Sequence, residues 1–264
     1  MHGGTKIAVT GATGRVGRHV VDVLREDGHD VVRISRSDGV DVITADGLAA
    51  ALEGVESVID TATSPSPDEA EATEFFTTSA RNLQELGERA GVKQIVVVSI
   101  IGIERFNGGY GAAKIVQEQA MLAGPVPARI LRASQFHEFI PQLVEWGRRR
   151  YVSYVPVMRT QPVAGRTVAE ALAAMAYEPS VPEPGALIPE IAGPREERLA
   201  DLARLYTARS GVPVHIEEAS NPADPTHEAY EKGWLLPGPD AMLAGPTFAE
   251  WLEGVPEQAT SHAA

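Results

Sequence analysis

Apolar residues along the first half of the chain alternate between two spacings, and the alternation predicts strands and helices in turn. Lys6-Ile-Ala-Val-Thr10 is a short apolar, β-branched run bounded by glycine, which predicts a buried strand. After the glycines at 11, 14 and 17, the residues Val16, Val20, Val23 and Leu24 fall at helical spacing as far as Gly28. A second strand follows over Val31-Val-Arg-Ile-Ser35, and Val40-Asp-Val-Ile43 predicts a short third. Leu48 to Leu52 predicts a helix ended by Gly54, and Ser57-Val-Ile-Asp60 a fourth strand running into the loop Thr61-Ala-Thr-Ser-Pro-Ser-Pro67. Glu69 to Ala90 predicts a long helix capped by Gly91, Gln94 to Ser99 a fifth strand, Gly111 to Leu122 a helix, and Ala128 to Leu131 a sixth strand. Alternating strand and helix predicts an α/β fold with a doubly wound parallel sheet.

Beyond this point the pattern changes. Prolines thicken from Pro156 onward, with Pro179, Pro182, Pro184 and Pro189 among them, and strand signals become scarce. Thr167 followed by Glu170 reads as a capping box opening a helix through Ala176. Glu196 to Ser210 predicts another helix, with Leu199, Leu202, Leu205 and Tyr206 on one face. We expect a Rossmann core over residues 1–134. Residues 135–264 would form a small mixed lobe, partly interleaved with the core sheet and packed over its carboxyl edge. The last eight residues read as a disordered tail.

Gly11-Ala-Thr-Gly14-Arg-Val-Gly17 lies between a strand and a helix, the context that makes a glycine pattern a dinucleotide site. Glycines allow a tight turn and close approach of backbone to pyrophosphate, and the helix N-terminus offers N–H groups to its phosphates. The second strand ends in Ser35-Arg36-Ser37 instead of an acidic residue. With Arg15 in the turn, this suits a 2′-phosphate and favours NADP(H) over NAD(H). Residues 1–36 carry net +2 and the remainder −15, so positive charge gathers where that phosphate would sit.

Tyr110-Gly-Ala-Ala-Lys114 follows Ser99 by eleven residues. Four residues apart on a helix, the phenol and the ammonium share a face, and the cation would lower the tyrosine's pKa toward neutrality. Ser99 at a strand end would hold a substrate oxygen, and the three together suit carbonyl reduction beside a hydride donor. Composition narrows the rest. The 264 residues are 44% hydrophobic, enough for a substantial core. Cysteine is absent, which removes disulfides, thiolate ligands and a cysteine nucleophile. A net charge of −13 argues against nucleic acid as a partner. No apolar run approaches the roughly 18 residues of a membrane span, and the first residues lack a secretion signal, so a cytoplasmic protein is expected. No metal-ligand spacing is present.

The chain resembles the atypical short-chain dehydrogenase/reductases, specifically their NmrA-like NAD(P)-binding group. The likeness is carried by Thr10-Gly-Ala-Thr-Gly-Arg-Val-Gly17, Leu52-Glu-Gly-Val-Glu-Ser-Val-Ile-Asp60, Asn82-Leu-Gln-Glu, Gly91-Val-Lys-Gln-Ile-Val-Val-Val-Ser99, Tyr110-Gly-Ala-Ala-Lys114, Ile130-Leu-Arg-Ala-Ser-Gln-Phe136 and Ala192-Gly-Pro-Arg-Glu-Glu-Arg-Leu199. It runs from about residue 5 to about residue 216.

The resemblance implies that Gly11, Thr13, Gly14, Arg15, Val16 and Gly17 cradle the cofactor, with Ser35 and Arg36 at the 2′ position. Asp41 and Val42 would flank the adenine, and Thr61, Ala62 and Thr63 the ribose–nicotinamide path. Lys114 would also hold the nicotinamide ribose, and Ser134, Gln135 and Phe136 would pass the nicotinamide. Ser99 and Tyr110 match the active-site serine and tyrosine. Two departures stand out: Ala133 replaces a frequent proline, and the segment Ile100 to Asn107 before the tyrosine is short.

His137 follows where a substrate pocket would open, for binding or protonating substrate, or simply as a polar helix-start residue. Trp146, Tyr151 and Tyr154 suit a wall for a flat, apolar or aromatic small molecule, or core packing, or a subunit contact; Arg148 to Arg150 reads as a solvated face. Related folds often pair through the helices corresponding to 69–90 and 111–122, which makes a homodimer an expectation. Two functions of different class fit: an oxidoreductase acting on a carbonyl, quinone or enone, or a non-catalytic NADP(H)-binding redox sensor. An epimerase or dehydratase would share the same three residues.

Overall fold

The computed structural model describes residues 4–177, 186–221 and 227–254. The first half of the chain runs β1 (Lys6–Thr10), α1 (Gly17–Glu26), β2 (Asp30–Ile34), α2 (Leu48–Ala51), β3 (Ser57–Asp60), α3 (Glu69–Ala90), β4 (Gln94–Ile100), α4 (Gly109–Leu122) and β5 (Ala128–Ala133). The second half runs α5 (Ile140–Trp146), β6 (Arg148–Arg149), β7 (Val152–Pro156), β8 (Arg159–Thr160), α6 (Gly165–Tyr177), β9 (Glu190–Ala192), β10 (Glu197–Arg198), α7 (Leu199–Ser210), β11 (His215–Ala219), α8 (His227–Glu231), β12 (Met242–Leu243) and α9 (Phe248–Gly254). Described residues within Met1–Ser99, Gly108–Arg132 and Val168–Pro189 form one compact unit; those within Ile100–Asn107, Ala133–Thr167 and Glu190–Ala264 form another.

In the first unit the strands lie in the order β2-β1-β3-β4-β5. β1 pairs in parallel with β2 and with β3, and β3 with β4, in a register that sets Ala8 beside Val32 and Val58, and Val58 beside Ile95. Side chains alternate across a strand, so this row faces one side. Ala8, Val58, Ile95 and Val97 pack there with Leu48 and Leu52 of α2, Ala80 and Leu83 of α3 and Met121 of α4. Ser57 and Gln94 sit on the opposite parity and donate to the Ala176 carbonyl at 3.0 and 3.1 Å, bringing the end of α6 to that side. Tyr177 stacks on His29 just after α1, with ring centroids 4.5 Å apart. Helices therefore cover both faces, as the alternating pattern predicts, and the sheet is of the Rossmann type.

Val40–Ile43 is a turn and not the predicted third strand. Asp41 Oδ1 accepts the Ile43 and Thr44 N–H groups at 2.7 and 3.3 Å. Asn82 Nδ2 donates to the Val42 and Ile43 carbonyls at 2.8 and 2.9 Å. With those groups satisfied by side chains, the segment has no ladder to offer a neighbouring strand. The strands predicted fourth to sixth are thus β3, β4 and β5.

Helix α3 starts and stops where the sequence predicts, with Asp68 accepting Ala70 N–H and Glu71 N–H and Gly91 at φ 77° closing it. Helix α4 begins two residues earlier than predicted, because the Glu69 carboxylate accepts the Gly109 N–H at 2.7 Å. That places Tyr110 in the first turn.

In the second unit β7 pairs antiparallel with β6 and parallel with β11, β8 antiparallel with β10, and β9 parallel with β12. Its core joins Ile140 and Val144 of α5, Val155, Leu199, Leu202, Ala203 and Tyr206 of α7, and Phe248 and Leu252 of α9. Leu205 is left 40% exposed, off the face predicted for it. Thr167 does not cap α6. The helix opens at Gly165, whose N–H is taken by both Glu138 carboxylate oxygens at 3.0 Å, so the cap comes from 27 residues away. Residues 197 and 198 are strand, which shortens α7 at its start. The prolines at 179, 182 and 184 and the last eight residues lie outside the described residues.

Candidate active site in the first unit

The strand order reverses direction between β1 and β3, and a crevice opens at the carboxyl ends of strands at such a reversal. The glycine turn closes tightly there. Gly11 has φ 60°, a conformation that favours glycine, and its carbonyl accepts the Gly14 N–H at 2.8 Å. A side chain on Gly17 would stand 2.1 Å from that carbonyl oxygen. Thr13, Gly14 and Arg15 are exposed, Val16 and Gly17 are buried, and the first turn of α1 carries no acidic residue. An open turn leading into a helix N-terminus of positive polarity suits a diphosphate, so the residues present fit a nicotinamide dinucleotide.

At the end of β2, Ser35 Oγ donates to an Asp38 carboxylate oxygen and lies 2.9 Å from Ser37 Oγ. Arg33 pairs with Asp38 at 3.3 Å. Asp38 is the acidic group that the sequence reading passed over: it lies beyond the strand, and the 3₁₀ turn Arg36–Asp38 folds it back onto Ser35. Arg36 is exposed, and no described residue pairs with it. Asp41 and Val42 lie in the turn described above, Val42 buried and Asp41 committed to backbone N–H groups.

A buried polar cluster lies at the carboxyl ends of β1, β3 and β4. Asp60, 1% exposed, accepts from Thr10 Oγ1, from Ala62 N–H at 3.1 Å and from Gln117 Nε2 at 2.9 Å. Thr61 Oγ1 donates to the Thr10 carbonyl at 2.6 Å. Lys114, 5% exposed, donates to the Val98 carbonyl at 2.8 Å and to Gln117 Oε1, and its ammonium stands 4.9 Å above the Phe76 ring. The Val98 carbonyl belongs to the peptide leading into Ser99. Burial raises the Asp60 pKa against the opposing pull of its donors and of Lys114. Burial also lowers the Lys114 pKa to about 8, although Asp60 and Glu118 both favour its cation.

Tyr110 packs edge-on to Phe76 with centroids 5.7 Å apart, and its hydroxyl lies 2.5 Å from Thr63 Oγ1. Its pKa is raised, since desolvation outweighs the Thr63 hydrogen bond. This differs from the lowering expected of a neighbouring lysine. The reason is the low dielectric around the phenol, together with an ammonium whose described bonds go to Val98 and Gln117. Phe76, which sequence reasoning missed, touches both the tyrosine and the lysine; its only signal was a place on the apolar face of α3. Gln117 and Asp60 were missed too. Ser99 Oγ is buried and has no hydrogen-bond partner among the described residues.

Ser134, Gln135, Phe136 and His137 belong to the second unit. Ser134 Oγ is buried without a described partner, and Gln135 Oε1 accepts from Thr160 Oγ1 at 2.6 Å. Phe136 forms an isolated bridge with Val163. His137 is 0% exposed, its Nε2 lies 3.1 Å from the Pro246 carbonyl, and Phe248 and Trp251 pack against the ring. Burial lowers its pKa, so the ring is the neutral core residue of that lobe. Trp146, Tyr151 and Tyr154 are 59, 77 and 44% exposed, which excludes core packing for them.

Residues 11–137 match a family described as NAD(P)H-binding. None of the curated proteins matches the sequence. Among solved structures, UDP-N-acetylglucosamine 4-epimerase from Bacillus cereus is similar over 98% of this chain and 97% of its own, at 16% identity and a TM-score of 0.68. dTDP-4-dehydrorhamnose reductase from Bacillus anthracis, solved in complex with NADP, is similar over 95% and 98%, at 15% identity and 0.68. A short-chain dehydrogenase/reductase superfamily protein from Agrobacterium tumefaciens with bound NAD is similar over 94% and 95%, at 18% identity and 0.66. Identities this low speak to the fold, and the fold is the Rossmann type described above. Over residues 11–137 the chain thus carries the sequence pattern of an NAD(P)H-binding family, set on that fold. Among the described residues no helix is long and apolar enough to cross a membrane.

Proposed function

We propose that this protein is an NADP(H)-dependent oxidoreductase of the short-chain dehydrogenase/reductase type, acting on the carbonyl, quinone or enone carbon of a small apolar or aromatic molecule. The observation that carries the reading is the anchoring of Lys114 on the peptide leading into Ser99, with the Tyr110 hydroxyl held by Thr63 on the same unit as the glycine turn. The nicotinamide, when bound, supplies or accepts the hydride. The Ser99 hydroxyl, buried and unpartnered, donates a hydrogen bond to the substrate oxygen. Tyr110 gives its phenolic proton to that oxygen in reduction and takes it back in oxidation. A raised tyrosine pKa keeps the phenol protonated and ready as the acid. The Lys114 ammonium favours the phenolate that forms, and the exposed Thr63 hydroxyl links the phenol to solvent for reprotonation.

Arg36, Ser35 and Ser37 would receive the 2′-phosphate. Asp38, tied to Arg33 and Ser35, supports the competing use of NAD(H), in which a carboxylate takes the ribose hydroxyls. The experiment is a screen of ketones, enones and quinones for NADPH oxidation, followed by Tyr110→Phe. We expect turnover to fall at least about 100-fold with NADPH affinity nearly unchanged. Turnover intact in Tyr110→Phe overturns the mechanism. Tight binding that discriminates NADPH from NADP⁺, with no turnover of any compound, would instead identify a redox sensor.

A further inference from the structure

Lys114 needs more than burial to be useful at the strand ends, because an ammonium on a four-carbon stem has no fixed direction of its own. Two acceptors take its N–H groups, and one of them leads on to a third group. Its Nζ donates to the Val98 carbonyl at 2.8 Å and to Gln117 Oε1. Gln117, 1% exposed and one turn further along α4, donates from Nε2 to Asp60 Oδ2 at 2.9 Å. The other Asp60 oxygen is filled by Thr10 Oγ1 and Ala62 N–H. The direction of the amide follows from its neighbours. A carboxylate only accepts and an ammonium only donates, so Gln117 must turn its NH₂ to Asp60 and its oxygen to Lys114. Two of the three ammonium N–H groups are then engaged, and one is left for a ligand.

We propose that Gln117 and Asp60 are positioning residues for Lys114, a relay in which the amide converts a buried carboxylate into a directed acceptor that aims the ammonium. This rests on the proposed function above, together with the expectation that Lys114 also holds the nicotinamide ribose. The relay lies entirely within one unit and spans β3 and α4. Among the groups around the ammonium, Asp60 and Glu118 favour its charge, and Glu118 is itself held by Arg132 through bonds of 2.8 and 3.0 Å. The Phe76 ring, 4.9 Å from the ammonium, carries no charge, and Tyr110 packs on the same ring. Gln117 is thus the piece whose removal cuts the link without changing any charge.

The test follows the ¹³C shift of Lys114 Cε in lysine-labelled protein as pH is raised, the peak being assigned with Lys114→Arg. We expect a wild-type midpoint of about 8. In Gln117→Leu the cation loses an acceptor, and we expect the midpoint to fall by about one unit or more, the worth of one hydrogen bond to a charged group. Asp60→Asn keeps the shape of the cluster, removes the charge at its root, and lowers the midpoint as well; it carries the test if Gln117→Leu does not fold. NADPH affinity, read by fluorescence, falls about threefold or more in Gln117→Leu at pH 7.5, where most of its Lys114 has lost its proton. Unmoved midpoints in folded variants overturn the relay. Shifted midpoints in a protein that binds neither NADPH nor NADH leave the relay standing and overturn the functional reading.

Discussion

Replacing Gly17 by alanine sets a methyl group 2.1 Å from the Gly11 carbonyl oxygen and 2.7 Å from Thr61 Oγ1. Ordinary contact begins near 3.4 Å, so the carbonyl must retreat by more than an ångström. It is poorly placed to do so. The same oxygen accepts the Gly14 N–H at 2.8 Å, and Thr61 is pinned to the Thr10 carbonyl at 2.6 Å. Overpacking of this kind costs about 1–3 kcal/mol, and loss of the turn hydrogen bond about 1 more. We therefore expect Gly17→Ala to lose roughly 2–4 kcal/mol in urea unfolding. Displacement of the turn weakens NADPH binding by on the order of tenfold or more, since about 1.4 kcal/mol felt at the site is enough.

Gly91→Ala serves as the control. It has φ 77° with nothing within 4 Å of a Cβ, so it carries backbone strain of about 1 kcal/mol and no clash. Its stability falls modestly and its affinity holds. If Gly17→Ala unfolds and binds as the wild type does, close packing of the turn is not what shapes the phosphate cradle.

Two further substitutions separate function from stability and one cofactor from the other. Ser99→Ala removes a buried hydroxyl that bonds to no described residue, so urea unfolding should show it neutral or stabilised by up to about 1 kcal/mol while turnover falls; marked destabilisation would mean the hydroxyl serves the fold. Arg36→Ala is expected to weaken NADPH by about tenfold or more and to leave NADH nearly unchanged, measured by paired titrations. Equal losses for both nucleotides would remove Arg36 from the 2′-phosphate site.

What could be read in advance was what local chemistry governs. The spacing of Val20, Val23 and Leu24 and the glycine at 91 each act within one or two turns of their own residue, and α3 ends where Gly91 stands. The Thr167–Glu170 pair misled because a stronger cap, Glu138, reached the Gly165 N–H from elsewhere in the chain. Val40–Ile43 misled in the same way. Its β-branched residues favour a strand, but Asp41 and Asn82 satisfy the backbone groups a strand would have used.

The sequence by itself determined the alternation of strand and helix, the glycine turn at the first helix, the absence of thiol chemistry, and the four-residue spacing of Tyr110 and Lys114. Each is a matter of periodicity, residue type or spacing. The helix start that takes in Tyr110 came from Glu69. Only the tertiary structure decided that Asp60, Thr10 and Gln117 share one buried cluster with Lys114, that Phe76 stands against both tyrosine and lysine, and that Asp38 folds back onto Ser35. It also decided the direction of the titrations. Desolvation raises Tyr110 and lowers Lys114 because water is excluded by residues far away in the chain, and no spacing between two side chains on a helix can express that.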